Sequence, residues 1–96
     1  MSIAREKIQM HRLPSTPGEM LLHEFMLPNE MSARALARDL GVPPNRITGI
    51  INGKRAMTAD TAALFEKRLG MPGEFWMNLQ SNYDFAVARQ RNAKAA

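Results

Sequence analysis

Apolar residues recur along the chain at intervals of three and four positions, the spacing that places them on one face of an α-helix. This pattern predicts five helices, over residues 17–27, 32–40, 43–52, 58–69 and 74–90. No segment alternates apolar and polar residues with a period of two, so no sheet is expected beyond a short piece of the arm before the first helix. The pattern therefore predicts an all-α fold.

Residues that start and stop helices flank these segments. Thr16, Ser32 and Thr58 each stand where a side-chain oxygen can accept from the first free backbone N–H groups of a helix. Pro28 ends the first helix, because proline disfavours the helical conformation of the residue before it, and Gly70 ends the fourth. These boundaries agree with the apolar spacing.

The segment from Ser32 to Asn52 has the layout of a helix-turn-helix motif. Ala37 is small where two helices must cross closely, and Gly41 falls where the turn requires a left-handed backbone. A plain pair of packed helices would explain the apolar spacing equally well. It would not explain the amide, guanidinium and hydroxyl groups at the outward positions of the second helix, which are Asn45, Arg46, Thr48, Gly49 and Asn52. Such groups are typical of a helix that reads the major groove of DNA.

The first half of that second helix, from Pro44 onwards, supplies the candidate base contacts. Asn45 can form two hydrogen bonds with adenine. Arg46 can contact guanine, contact a phosphate or pair with Asp39. Thr48 offers a hydroxyl to a base edge or phosphate, or a methyl group to thymine.

Four further residues are candidates for contact with the phosphate backbone. Lys54 and Arg55 follow the motif in a loop, and Ser32 precedes the free N–H groups of the first turn of its helix. Asn52 has two interpretations, a phosphate contact or the residue that closes the helix before a glycine. The predicted DNA-binding set is Ser32, Pro44, Asn45, Arg46, Thr48, Gly49, Asn52, Lys54 and Arg55.

Gly49 is unexpected, since a glycine inside a helix destabilises it by about 1 kcal/mol relative to alanine. One interpretation is that the helix backbone approaches DNA closely at this position. The other is that the position is lightly constrained. The sequence leaves both open.

The last predicted helix carries more apolar surface than one core face uses. Phe75, Leu79 and Tyr83 lie on one stripe, and Trp76 is among the residues spread around the rest. The excess predicts a second buried face, for which another copy of the chain is the simplest partner. A two-fold dimer would also read an inverted repeat with half-sites about 34 Å apart. A small five-helix domain that needs all these residues inside is the alternative.

Length and composition set the remaining bounds. The 96 residues suffice for one domain, predicted as an arm over 1–16, the helix-turn-helix domain over 17–90 and a basic tail over 91–96. The absence of cysteine excludes disulfides and thiolate metal sites. No apolar run approaches the roughly 20 residues of a membrane span, so a cytoplasmic protein with no membrane partner is expected.

Catalytic chemistry has no candidate constellation in this sequence. His11 and His23 stand alone, without the spaced partners of a metal site, and no nucleophile motif or glycine-rich phosphate loop occurs. We therefore expect a binding protein without metal or cofactor rather than an enzyme. The net charge is +4, and its cations gather at the motif, where residues 32–55 hold five Lys or Arg against one Asp. That distribution favours nucleic acid as a partner.

Four segments together resemble the HigA-type antitoxins, also called the VapI-like group, within the lambda-repressor-like (Xre) helix-turn-helix regulators. They are Pro17-Gly-Glu-Met-Leu-Leu-His-Glu-Phe25, Leu40-Gly-Val-Pro-Pro-Asn-Arg-Ile47, Ile51-Asn-Gly-Lys-Arg-Ala-Met-Thr-Ala-Asp-Thr-Ala62 and Gly73-Glu-Phe-Trp-Met-Asn-Leu79. The resemblance covers about residues 14–88. Gly49 departs from it, because that group usually carries a larger residue there.

The resemblance implies a five-helix, homodimeric protein that binds double-stranded operator DNA. It also implies that the chain neutralises a cognate toxin, typically a ribosome-dependent ribonuclease, and represses their shared operon. Two other functions remain open from the residues alone. One is a stand-alone Xre-type transcriptional regulator without a toxin, and the other is an interaction domain that has lost DNA binding.

Overall fold

The computed structural model describes residues 13–95, and over this range the chain forms five helices and no strand. Helix α1 begins as the α-helix Pro17–Met20 and continues as the π-helical segment Leu21–Met26. The others are α2 (Ala33–Leu40), α3 (Pro44–Ile51), α4 (Ala59–Leu69) and α5 (Gly73–Ala95). The predicted all-α, five-helix fold is confirmed, while residues 1–12 of the predicted arm, with His11, and residue 96 lie outside the described range.

The three predicted N-caps are confirmed. Thr16 Oγ1 accepts from the Glu19 N–H and Glu19 Oε1 accepts from the Thr16 N–H, both at 3.1 Å, which is a capping box. Ser32 Oγ accepts from the backbone N–H three residues later at 3.0 Å, and Thr58 Oγ1 does the same at 3.4 Å. Gly41 has φ of 73°, the left-handed turn that the motif requires.

The second half of α1 departs from the predicted regular helix. Leu27 N–H donates to Leu22 O at 2.9 Å, which is an i to i+5 bond and widens the turn. In a regular α-helix the ring of Pro28 would clash with the carbonyl of Glu24, and the wide turn is the form that the backbone takes ahead of this proline. Leu21 and Met26 remain buried in this geometry.

Trp76 lies at the centre of the core and is 0% exposed. Its ring is 5.4 Å from that of Phe25, 5.0 Å from that of Phe65 and 5.2 Å from that of Phe75, so the indole joins α1, α4 and α5. The prediction that Trp76 contacts a second chain is therefore wrong. An apolar count along a helix cannot distinguish a residue that faces its own core from one that faces a partner.

Helix α5 is longer than predicted. It continues past Gln90 to Ala95, so the segment predicted as a basic tail is helical as far as Ala95. Residues 90–95 contain no proline or glycine, and their alanines, arginine and lysine are strong helix formers. Within the described range, no helix combines the length and the apolar character that a membrane crossing requires.

Candidate nucleic-acid interface

Helices α2 and α3 form the helix-turn-helix. The buried face of each helix determines which of its residues face solvent. Leu36 and Ala37 of α2 are buried, as are Ile47 and Ile50 of α3. Across the turn, the Val42 N–H donates to the Ala37 carbonyl at 3.0 Å. With its apolar stripe held inside, α3 presents its other side to solvent.

That solvent side of α3 carries the predicted base-reading residues. Pro44 is the first residue of the helix, and Pro44, Asn45 and Thr48 are exposed. The Thr48 hydroxyl lies 3.4 Å from the carbonyl of Asn45, to which it donates a long hydrogen bond. The side chain of Asn45 takes part in no hydrogen bond among residues 13–95, so its amide is available to a base edge.

Arg46 is half-buried on the same helix. The sequence alone left open whether it contacts guanine, contacts a phosphate or pairs with Asp39. The structure excludes one of them, because the Asp39 carboxylate pairs with Arg68 of α4, with Nε and Oδ2 3.1 Å apart. Arg46 forms no salt bridge with any described residue. Its guanidinium is thus available for a base or a phosphate.

Gly49 lies under the loop that follows α3, called here the basic loop (residues 52–57). Its carbonyl accepts both the Lys54 N–H at 2.9 Å and the Arg55 N–H at 3.0 Å. A Cβ at position 49 would lie 3.3 Å from the Cβ of Arg55, a tight contact. This contact with the chain's own loop is a reason for glycine at position 49. Neither interpretation from the sequence included it.

The basic loop carries the two predicted phosphate contacts. Lys54 and Arg55 are exposed and form no salt bridge with the residues described. At its far end the loop is held by α5, because the Met57 N–H donates to Gln80 Oε1 at 2.7 Å. Sequence reasoning assigned no role to Gln80, and a lone glutamine on a long helix gives no signal that it would have one.

Asn52 and Ser32 lie at two helix ends of the motif. The N–H of Asn52 donates to Thr48 O at 2.9 Å and Gly53 adopts φ of 76°, so the backbone closes α3. No hydrogen bond within the described part of the chain involves the Asn52 side chain, which is exposed. The Ser32 oxygen caps α2, where the helix dipole and free N–H groups favour an anion.

The other residues of α5 predicted at a dimer contact, Phe75, Leu79 and Tyr83, are each partly exposed. Phe75 and Leu79 are half-buried against the core, and Tyr83 is half-buried beside α1 and the basic loop. The large apolar side chains that α5 exposes are Met77, at 36%, and Phe85, at 57%. The Arg89 guanidinium lies 5.3 Å above the ring of Phe85, a cation–π contact.

The residues described contain no cluster of three or more histidine or acidic side chains that could hold a metal ion. The interface is instead a polar face of α3 with the basic loop packed against it at Gly49, and Ser32 at the first turn of α2 is the remaining candidate contact. Groups of this kind, amides and guanidinium on a helix with flanking cations, recognise base edges and phosphates.

Comparison with known proteins agrees with this geometry. A helix-turn-helix family model matches residues 22–76 of the chain. Virulence-associated protein I of Dichelobacter nodosus is 40% identical over 90 residues, which cover 94% of this chain and 82% of that protein. An addiction module antidote protein of the HigA family from Coxiella burnetii is 44% identical, with a TM-score of 0.81 and coverage of 88% of this chain and 91% of its own.

A third similar protein was solved together with DNA. The antitoxin HigA of Pseudomonas aeruginosa, in a structure with the higBA promoter, is 38% identical to this chain. The TM-score is 0.81, and the match covers 85% of this chain and 89% of the other.

Proposed function

The chain belongs to the HigA-type antitoxins of the helix-turn-helix family, and we propose that it binds operator DNA through α3, represses its own operon and neutralises a toxin encoded beside it. The observation that carries the DNA-binding part is the outer face of α3. It holds an exposed amide at Asn45 and a guanidinium at Arg46 that no described carboxylate neutralises. The chain acts by binding and not by catalysis.

In this proposal α3 enters the major groove with its first half foremost. Asn45 reads adenine and Arg46 reads guanine, each contributing about 1–3 kcal/mol of discrimination against other bases. Thr48 contacts a base edge or phosphate one turn later. Pro44 fixes the start of the helix, and Gly49 allows the basic loop to lie against it.

Phosphate contacts on both sides of the groove complete the interface. Lys54 and Arg55 reach the backbone from the basic loop, with Asn52 beside them, and Ser32 binds a phosphate at the first turn of α2. The sequence-independent share of affinity comes from these cations, and each neutralised phosphate makes binding weaker as salt rises.

We also propose that the chain works as a homodimer on an inverted-repeat operator. The exposed apolar face of α5 supports this, with Phe85 as its largest exposed side chain. In this proposal Phe75, Leu79 and Tyr83, which are half-buried, contribute their remaining exposed surface to the dimer. A two-fold pair places two α3 helices one helical turn apart on DNA, which a monomer cannot do. The site of action is the cytoplasm, where the operator is.

The proposed neutralisation of a toxin is tested by a growth assay. Cells that express the neighbouring gene alone are expected to arrest, and co-expression of this chain is expected to restore growth, with the two proteins copurifying. Arrest that this chain fails to relieve would contradict the antitoxin role. If no neighbour causes arrest, the better account is a stand-alone Xre-type regulator.

The proposed binding to operator DNA is tested separately with the purified chain. A labelled duplex from the promoter of its own operon is titrated in competition with a mixed-sequence duplex of equal length. We expect the promoter duplex to bind at least about 10³-fold more tightly, the lower bound for specific recognition. Equal affinity for the two duplexes would contradict sequence-specific repression.

A further inference from the structure

We infer that Gln80 is a positioning residue for DNA binding, because it holds the basic loop in place from α5 and so presents Lys54 and Arg55 to the phosphate backbone. This inference rests on the proposed function. It concerns a residue outside the helix-turn-helix, 23 positions along the chain from the loop that it holds.

The loop is fixed at two places by two different elements. At its start, the carbonyl of Gly49 in α3 accepts both the Lys54 and the Arg55 N–H groups. At its end, Gln80 Oε1 accepts the Met57 N–H at 2.7 Å. The Gly49 carbonyl therefore holds the backbone of the two cations directly, and Gln80 holds the loop two residues further on. Neither cation forms a salt bridge with the described residues that could hold its side chain.

The side-chain amide of Gln80 is itself oriented by a second contact. Its Nε2 donates to Asp84 Oδ1, one helical turn further on, at 3.0 Å. The two contacts determine the orientation of the amide, because the Met57 N–H requires the oxygen and the Asp84 carboxylate requires the NH₂ group. Asp84 thus prepares Gln80 to accept from the loop.

The Met57 side chain makes the end of the loop a structural boundary. It is buried in the core, only 3% exposed, while Lys54 and Arg55 are exposed. The Gln80 bond therefore lies where the chain passes from the exposed surface of the basic loop to the packed interior. If the bond is lost, the buried Met57 side chain still anchors the end of the loop, but the backbone that follows Arg55 loses its hydrogen bond to α5, and binding DNA must then order this part of the loop.

The experiment is a mutant cycle on affinity for the promoter duplex and a mixed-sequence duplex. Gln80→Ala is expected to weaken binding roughly fivefold, the effect of ordering a short loop on association. In a Lys54→Ala/Arg55→Ala background, the same change is expected to have no further effect, because the residues through which Gln80 acts are gone. Melting of each variant, followed by circular dichroism, establishes that it is folded.

An amide–acid exchange supplies the matched control. In Gln80→Glu/Asp84→Asn, the new carboxylate accepts from the Met57 N–H and from the new amide, so both hydrogen bonds and the net charge are kept. We expect wild-type affinity. Gln80→Glu alone replaces the hydrogen bond between residues 80 and 84 with two carboxylates that repel each other. This variant is expected to bind the promoter duplex as weakly as Gln80→Ala does. This pair of variants also tests the inference if Gln80→Ala does not fold.

The outcomes are distinguishable. Unchanged affinity of folded Gln80→Ala would overturn the inference, and so would an equal loss with and without Lys54 and Arg55, which would mean that Gln80 supports the fold in general. A wild-type chain that binds neither duplex would instead refute the proposed function. Lys54→Ala/Arg55→Ala with wild-type affinity would refute the phosphate contacts.

Discussion

Gly18 of α1 lies directly against the backbone of Ile50 in α3. A Cβ built on Gly18 would lie 2.7 Å from the carbonyl carbon of Ile50 and equally close to the Cα of Ile51. These are backbone atoms, which cannot swing aside as a side chain can. The absence of a side chain at Gly18 therefore allows α1 to pack closely against α3, the helix proposed to read DNA.

Gly18→Ala is accordingly expected to destabilise the fold by about 3 kcal/mol, the upper end of the range for overpacking a core. Urea unfolding at equilibrium measures this. Gly49→Ala is the control, because it also adds one methyl to a helical glycine of this region but meets a side chain at 3.3 Å instead of a carbonyl. Its expected change is within about 1 kcal/mol, since the gain in helix propensity offsets the contact. Equal losses in the two variants would contradict the argument.

Base reading and phosphate contact predict different effects of two substitutions. Arg46→Ala is expected to weaken binding to the cognate duplex by about 1–3 kcal/mol and to relax specificity at one base pair. Lys54→Ala is expected to weaken cognate and mixed-sequence duplexes alike, and to make the slope of log K against log salt shallower by about 0.9. Affinities measured over a salt series distinguish the two. An Arg46→Ala variant with unchanged specificity would place that side chain at a phosphate.

Local chemistry made most of the fold predictable from the sequence. The caps at Thr16, Ser32 and Thr58 depend on residues within three positions of each other, so the sequence contains both partners. The turn at Gly41 likewise follows from one residue type. The wide turn ahead of Pro28 was missed, because apolar spacing does not separate a regular helix from a widened one.

The site was less predictable where contacts connect distant elements. The Asp39–Arg68 pair removes one candidate partner of Arg46, yet its two residues are 29 positions apart. The same holds for Gln80 and the basic loop. Trp76 is the sharpest case, since its apolar character is the same whether it faces three aromatic rings of its own chain or a second chain.

Trp76 and Phe85 are expected to give opposite results in a pair of substitutions on α5. Trp76→Ala removes a fully buried side chain and is expected to destabilise the fold by about 3–5 kcal/mol. Phe85→Ser changes a largely exposed side chain whose cation–π contact with Arg89 is lost, so the stability of the monomer is expected to fall by no more than about 1 kcal/mol. Phe85→Ser is instead expected to shift sedimentation toward the monomer. A Phe85→Ser chain that stays dimeric would move the proposed contact off this face.

Ser32 combines two roles that a single alanine substitution cannot separate. Its hydroxyl caps α2, so Ser32→Ala is expected to lower stability by about 1 kcal/mol, and any loss of DNA affinity could come from the fold. Aspartate caps a helix as well as serine does and also suits the helix dipole. Ser32→Asp should therefore keep stability while it brings a negative charge to the proposed phosphate site.

We expect Ser32→Asp to melt like the wild type and to bind the promoter duplex at least about tenfold more weakly, a loss of about 1.4 kcal/mol from repulsion between the carboxylate and the phosphate. Asn78→Asp is the control for charge, because it adds one negative charge of the same kind to an exposed position of α5 in a cleft that Glu66 and Glu74 already line. It should bind nearly as the wild type does. If Ser32→Asp binds as tightly as Asn78→Asp, the first turn of α2 does not lie at the DNA backbone, and the interface consists of α3 and the basic loop alone.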